Sequence, residues 1–257
     1  MSDKKKQKNG FFRVFLHTLF IQAVWNYKSM VSVGFTFGLW AKCRHLFTDE
    51  SEKIAFLKRH LSFFNAHPYM APYAIGAVAR LEEERKKNGS PDLASIEKLK
   101  NALIGPLGAI GDQVFWQGIK PAVTMLGLLW LILIPQLQIR LFILFLVLLI
   151  YNIPHFAIRY RGVKIGYEQG FSVYKYVKIG RFKKLIKGFK IIGALSLGVM
   201  LTVFITKTST GDLKESAFFV VILVSAFLIR KNTSSIYLAL LAPLLLAVTV
   251  GVIMVEL

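Results

Sequence analysis

AVTMLGLLWLILIPQLQIRLFILFLVLLIY, Ala122 to Tyr151, is the stretch on which the fold turns. It holds two apolar runs, Ala122 to Ile134 and Ile139 to Tyr151, separated by Pro135-Gln136-Leu137-Gln138 and carrying a single charge, Arg140. At 1.5 Å per helical residue each run covers roughly 20 Å, short of a hydrocarbon core about 30 Å thick. Two half-spans forming a re-entrant hairpin therefore compete with one long kinked helix. The hairpin puts Pro135 and Arg140 at depth, which is tolerated only against protein or a polar cavity.

The remainder of the chain points the same way. Of 257 residues 54% are hydrophobic and only 18% charged, with a mean hydropathy of +0.52. Such a composition disfavours a soluble domain and predicts an all-α integral membrane protein. Thirty-three Lys and Arg against fourteen Asp and Glu give a formal charge of +19. That excess fits nucleic acid, anionic lipid or basic cytoplasmic loops; the hydropathy favours the loops, and no nucleic-acid partner is expected. The lone Cys43 excludes an internal disulfide framework and a Cys-rich metal site, and is expected as a small buried apolar residue.

The chain divides into a basic tail (residues 1–10), an amphipathic and cytoplasm-facing helical part (11–121) and a membrane-embedded part (122–257). FFRVFLHTLFIQAVW behind the tail carries Arg13, His17 and Gln22 without a cleavage pattern, so no secretory signal peptide is read there. Phe11 to Trp40 is expected as an interfacial amphipathic helix with a break at Gly34 or Gly38. In the next segment Asp49 caps a helix with Glu52 three residues on, and Ile54, Leu57, Leu61 and Phe64 repeat at helical spacing until Pro68 ends it. A second helix, Ala71 to Lys87, is expected to pair Glu82 with Lys86 and to stop at Gly89, with Glu82 to Arg85 on a solvated face. Ser90-Pro91 opens a third, striped by Leu93, Ile96, Leu99 and Leu103.

Beyond the hairpin (122–151), the segment 155–190 contains ten basic residues from Arg159 to Lys190 against one acid, Glu168, and is assigned to the cytoplasm. Ile191 to Thr206, Ala217 to Ile229 and Ile236 to Val255 then read as C-terminal spans within 191–255.

Candidate chemistry gathers at two places. GPLGAIGD, Gly105 to Asp112, lacks the Lys-Ser/Thr of a phosphate loop, and a glycine-rich break for close helix packing explains it equally well. Yet Asp112, Gln113 and Trp116 follow at once, an acceptor, an amide and a flat aromatic face of the kind that binds sugars. In FFNAHPYMAPYAIG, Phe63 to Gly76, Asn65 and His67 read either as a helix cap with an interfacial histidine or as part of a site. His60, His67 and Asp112 have no recognisable metal-ligand spacing, and neither a metal nor a cofactor is expected. With one cysteine and no G-x-S-x-G, a nucleophilic enzyme has little to work with.

Three segments together resemble the IID component of the mannose-type phosphotransferase system, the mannose/fructose/sorbose family of sugar permeases. They are FIQAVWNYKSMVSVGF (Phe20 to Phe35), LKRHLSFFNAHPYMAPYAIGAVARLEEE (Leu57 to Glu84) and GPLGAIGDQVFWQGIKP (Gly105 to Pro121), and RYRGVKIGYEQG (Arg159 to Gly170) extends the likeness. The resemblance implies a multi-pass subunit of the bacterial cytoplasmic membrane that pairs with a IIC subunit, as a trimer of pairs, to bind and translocate a hexose. It implies that soluble IIA and IIB proteins phosphorylate the sugar and that this chain carries no phosphorylated or catalytic residue. Trp25, Asn26, Asn65, His67, Asp112, Gln113 and Trp116 are then expected at the sugar or at the IIC interface. Lys28, Gln113 and Lys187-Gly188-Phe189 depart from the family pattern. The charge exchanges at Lys28 and Lys187, expected at semi-buried positions, motivate an alternative: a structural or regulatory subunit of the same fold that has lost transport.

Overall fold

The computed structural model describes residues 2–208. The chain divides into two compact units, Met1–Leu197 and Gly198–Leu257, and every contact below lies within the first. The helices are α1 (Ser2–Thr18), α2 (Ser32–Cys43), α3 (Glu50–His60), α4 (Ala71–Asn88), α5 (Leu93–Gly111), a π-helical segment (Asp112–Ile119), α6 (Lys120–Leu133), α7 (Leu137–Gln169) and α8 (Lys183–Thr208). Of the expected C-terminal spans, the first falls on α8; Ala217 to Ile229 and Ile236 to Val255 lie outside the described residues.

The break in the N-terminal helix comes earlier than the glycines suggest. Asn26 accepts hydrogen bonds from the Ser29 amide (2.9 Å) and hydroxyl (3.2 Å), and Met30 adopts a left-handed φ of 57°. This side-chain turn competes with helix. Backbone bonds from Val31 N to Phe64 O (3.1 Å) and Phe64 N to Ser29 O (3.4 Å) fasten it to the Phe63–Asn65 strip. Gly34 and Gly38 instead sit inside α2, where a Cβ on Gly34 would collide with the Ile21 backbone.

Asp49 caps α3 as expected, accepting from the Glu52 amide at 3.2 Å, and Gly89 ends α4 with φ 74°. The anticipated stripe is only half realised: Leu57 packs against the core and Phe64 is buried in it, whereas Ile54 and Leu61 are exposed. The helix stops at His60 before Leu61 and Phe64, and Phe56 and His60 are its buried positions. The expected Glu82–Lys86 pair is also absent, because tertiary partners win both charges. Glu82 is buried and holds Arg59 (3.0 and 2.6 Å) and His60 (2.9 Å), while Lys86 reaches Glu52 at 2.7 Å. Glu83 is likewise buried, paired with Lys42 at 3.0 Å and accepting from Tyr167. The acidic end of α4 is thus a cross-link to α2, α3 and α7 rather than a solvated face.

α4 and α7 form the most extensive helix pair. Their backbones touch because a Cβ on Gly76 would strike the Val163 carbonyl and one on Gly166 the Tyr73 carbonyl. Glycine on both partners lets the axes approach closer than any side chain allows. Cys43 is buried as expected beside α4, where burial and then the Glu82 and Glu83 charges push its thiol pKa well up.

GPLGAIGD is not a break. α5 runs through Gly105, Pro106 and Gly108, widens into the π-helical segment and continues as α6, giving one apolar rod of 41 residues, Leu93–Leu133. A turn at 134–136 leads into a second rod, Leu137–Lys175, of 39 residues, and both contain windows apolar enough to cross a membrane. A Cβ on Gly127 would meet Val147, so α6 and α7 pack as a hairpin rather than forming one kinked helix. Arg140 sits at the hairpin turn, exposed, where its Nε donates to the Ile134 carbonyl at 2.6 Å. That carbonyl ends α6, so the charge caps a helix. Lys28 and Lys187 are exposed rather than semi-buried, and neither charge exchange meets a buried partner among the described residues.

Candidate functional site

The link between α3 and α4, residues 61–70, is held from below by a buried cation. Lys100 of α5 donates to the carbonyls of His60 (3.0 Å) and Ser62 (3.1 Å) and to the Ser62 hydroxyl (2.8 Å). It also lies 5.1 Å from the Phe35 ring centre and 5.9 Å from that of Phe64. These contacts satisfy the carbonyl that ends α3 and one in the link, and fix where the chain turns toward His67.

His67 then opens α4: its carbonyl accepts from the Met70 and Ala71 amides at 2.9 Å, with Pro72 in the first turn. Its Nδ1 accepts from the Tyr69 amide at 3.2 Å, which places the proton on Nε2. Burial, and then the nearby Arg159 charge, push the His67 pKa down to about 4, so the ring is neutral at physiological pH. Nε2–H is buried without a protein partner among the described residues. The imidazole is stacked on Phe115 (5.3 Å, 18°), lies 4.9 Å from Trp116 and backs onto Gly111, where a Cβ would collide with it.

Tyr69 extends the cluster to α7. Its ring stacks on His155 (4.4 Å, 17°) beneath the Arg159 guanidinium (4.8 Å), and its hydroxyl meets that of Tyr151 at 3.0 Å. Arg159 donates to the Thr18 carbonyl at the end of α1. His155 Nε2 donates to Asn152 Oδ1 at 2.8 Å, because the Asn152 amide nitrogen is engaged with Leu148 O at 2.7 Å; this leaves Nδ1 as an acceptor. His155 Nδ1 and Arg159 Nε have no partner among the described residues. Most buried polar atoms are paired in folded proteins, so two donors and an acceptor without partners among the described residues set this aromatic cluster apart. Among the described residues no group of His, Cys, Asp and Glu is placed to hold a metal ion.

A family model described as the PTS system mannose/fructose/sorbose family IID component matches residues 5–256. The chain belongs to that family. It is 32% identical over 205 residues to the mannose-specific EIID component of Escherichia coli K12, covering 78% of this chain and 69% of that one. The fructose permease IID component of Bacillus subtilis is 28% identical over 204 residues, covering 79% of this chain and 72% of the relative. Among solved structures, a chain of the mannose transporter ManYZ in complex with microcin E492 is similar with a TM-score of 0.58 and 26% identity. That similarity covers 96% of this chain and 94% of that one. A second chain, described as a membrane protein, shares the fold with a TM-score of 0.68 at 24% identity, covering 96% and 95%.

In this IID component the motif residues separate into two groups. His67 and Trp116 meet directly, and Asp112 and Gln113 are half-buried on the same π-helical turn as Trp116, with no side-chain hydrogen bond among the described residues. Trp25 is exposed and packs on Tyr27 at 4.6 Å, Asn26 is spent on its own turn, and Asn65 is exposed and makes no capping hydrogen bond among the described residues. Tyr69, Tyr151, His155 and Arg159 were missing from the residues expected at the site. Arg159, counted among the basic residues of the segment assigned to the cytoplasm, is buried. The signal available was Tyr151, Asn152, His155 and Arg159 at helical spacing on one face of an apolar helix.

Proposed function

We propose that this chain is the IID subunit of a mannose-type sugar permease, pairing with a IIC subunit in the bacterial cytoplasmic membrane to bind and translocate a hexose. Soluble IIA and IIB proteins supply the phosphoryl group, and the chain itself does no phosphoryl chemistry. Support comes from family membership, from the similarity to a ManYZ chain and from the two apolar rods. The observation that carries the sugar role is the His67 cluster. A neutral N–H on His67, an N–H on Arg159 and an acceptor on His155 match hydroxyl groups that both give and take hydrogen bonds, beside the exposed face of Trp116. Asp112 and Gln113 add an acceptor and an amide on the adjoining π turn, a backbone form frequent at functional sites.

The test is co-purification with the candidate IIC subunit, followed by tryptophan fluorescence against a panel of hexoses. A stable pair with one saturable response that disappears in Asp112→Ala supports a shared sugar site. A stable pair that answers no hexose moves the assignment to a structural or regulatory subunit.

A further inference from the structure

α8 opens with lysines at 183, 187 and 190, spaced to lie along one helix face. Together with Gln113 of the π-helical segment and Ile179, Ile186, Ile191 and Ala194, they line a cavity of about 630 Å³. All three lysines are exposed, and none has an ion-pair or hydrogen-bond partner among the described residues. Among the described residues no carboxylate lines the cavity. Two residues of the same helix, Phe189 and Ile192, line a second cavity of about 520 Å³ whose other walls are the apolar faces of α6 and α7. α8 therefore carries cations unpaired among the described residues above an isoleucine floor and, along the same helix, an apolar groove against a membrane hairpin.

A small soluble anion matches the lysines but leaves the isoleucines without a role. An anionic phospholipid matches both: its phosphate faces the ammonium groups while its chains cover apolar surface, and basic pockets beside membrane helices are suited to such headgroups. We propose that Lys183, Lys187 and Lys190 form a headgroup site for an anionic phospholipid. The site rests on the chain being a membrane subunit and not on the sugar assignment, so a pair that binds lipid and ignores hexose leaves it standing.

Native mass spectrometry of the detergent-solubilised full chain, titrated with dioleoyl phosphatidylglycerol and dioleoyl phosphatidylcholine, tests it. Each lysine near an anionic surface contributes about a five-fold gain, so three predict a preference on the order of 100-fold for phosphatidylglycerol. The Lys183→Gln/Lys187→Gln/Lys190→Gln variant is expected to bind both lipids alike, the triple Lys→Arg variant to keep the preference, and Lys58→Gln/Lys87→Gln/Lys98→Gln to leave it unchanged. Equal binding of the two lipids, or a preference that survives the triple Gln change, overturns the proposal. So does displacement of the lipid by inorganic phosphate alone, which makes the site one for a free anion. Exclusion of phosphatidylglycerol once the IIC subunit is bound also overturns it and assigns the face to that interface.

Discussion

Two buried polar clusters meet the 61–70 link, and they differ in one respect. Around Glu82, the Arg59, His60 and Lys100 side chains are joined to carboxylate, hydroxyl and carbonyl oxygens, and no buried side-chain atom of the group is left open. Around Tyr69, the His67, His155 and Arg159 side chains each keep one nitrogen without a protein partner among the described residues. The first cluster has every reason to be rigid, and its chemistry is used up in holding three helices. The second lies against the same link, with its polarity unspent. Burying a donor without an acceptor costs about 1–3 kcal/mol, so retaining it is informative about function in a way that a satisfied ion pair is not.

The comparison breaks most visibly at Glu82. Its carboxylate would be pushed up by burial, but hydrogen bonds from His60 and Arg59 outweigh that and hold it below the usual carboxylate range. Removing one partner of such a buried pair costs about 3–5 kcal/mol. Glu82→Ala is therefore expected to lower the melting temperature of the purified protein by about 10 °C, at about 2–4 °C per kcal/mol for a chain of this size. An unchanged melting temperature would show that the satisfied cluster holds nothing. Lys100→Met comes next. It keeps the stem over Phe35 but strips the His60 and Ser62 carbonyls of their donor, and a loss of about 2 kcal/mol is expected in the same thermal assay.

The second cluster was harder to see in the sequence than the first helices were, for a physical reason. Caps are local: Asp49 and Gly89 act within a few residues, and the apolar runs narrow the choice to a hairpin or one kinked helix. Where tertiary partners compete with local ones, the local expectation fails. Glu82 prefers Arg59 and His60 to Lys86, and Phe56 rather than Ile54 turns inward, because α2 and α4 decide which face of α3 is covered. His67 and Trp116 were legible as motif residues, but their contact depends on Gly111 having no side chain. His155 and Arg159 lie far from His67 and Tyr69 in sequence, and helical spacing on α7 does not show that their face meets that segment.

Gly111→Ala sharpens the comparison from the other side. The added methyl meets the His67 ring, and such overpacking costs about 1–3 kcal/mol. The larger consequence is expected in function: displacing the imidazole should abolish the saturable sugar response while the pair with IIC still forms. A response equal to that of the parent would remove His67 from the site.

The smallest effect on stability, and the most discriminating, is expected at His67 itself. His67→Phe keeps an aromatic ring against Phe115 and Trp116, loses the acceptor for the Tyr69 amide and relieves an unpartnered N–H, contributions of about 1 kcal/mol and of opposite sign. Melting temperature should therefore hardly move while the sugar response is lost, whereas an equivalent deletion in the satisfied cluster destabilises. Acid titration supplies the second readout. Because the folded-state pKa of His67 lies near 4, below its ordinary value, the unfolded chain takes up more protons between about pH 6.5 and 4. Stability from this residue is complete above that window and falls as the pH drops through it. His60, lowered by burial despite its hydrogen bond to Glu82, acts with the same sign. His67→Phe should flatten part of the acid slope and leave the His60 part. A profile identical to the parent's would mean that the His67 ring is not held neutral by burial, and that the two clusters do not differ as their hydrogen bonds indicate.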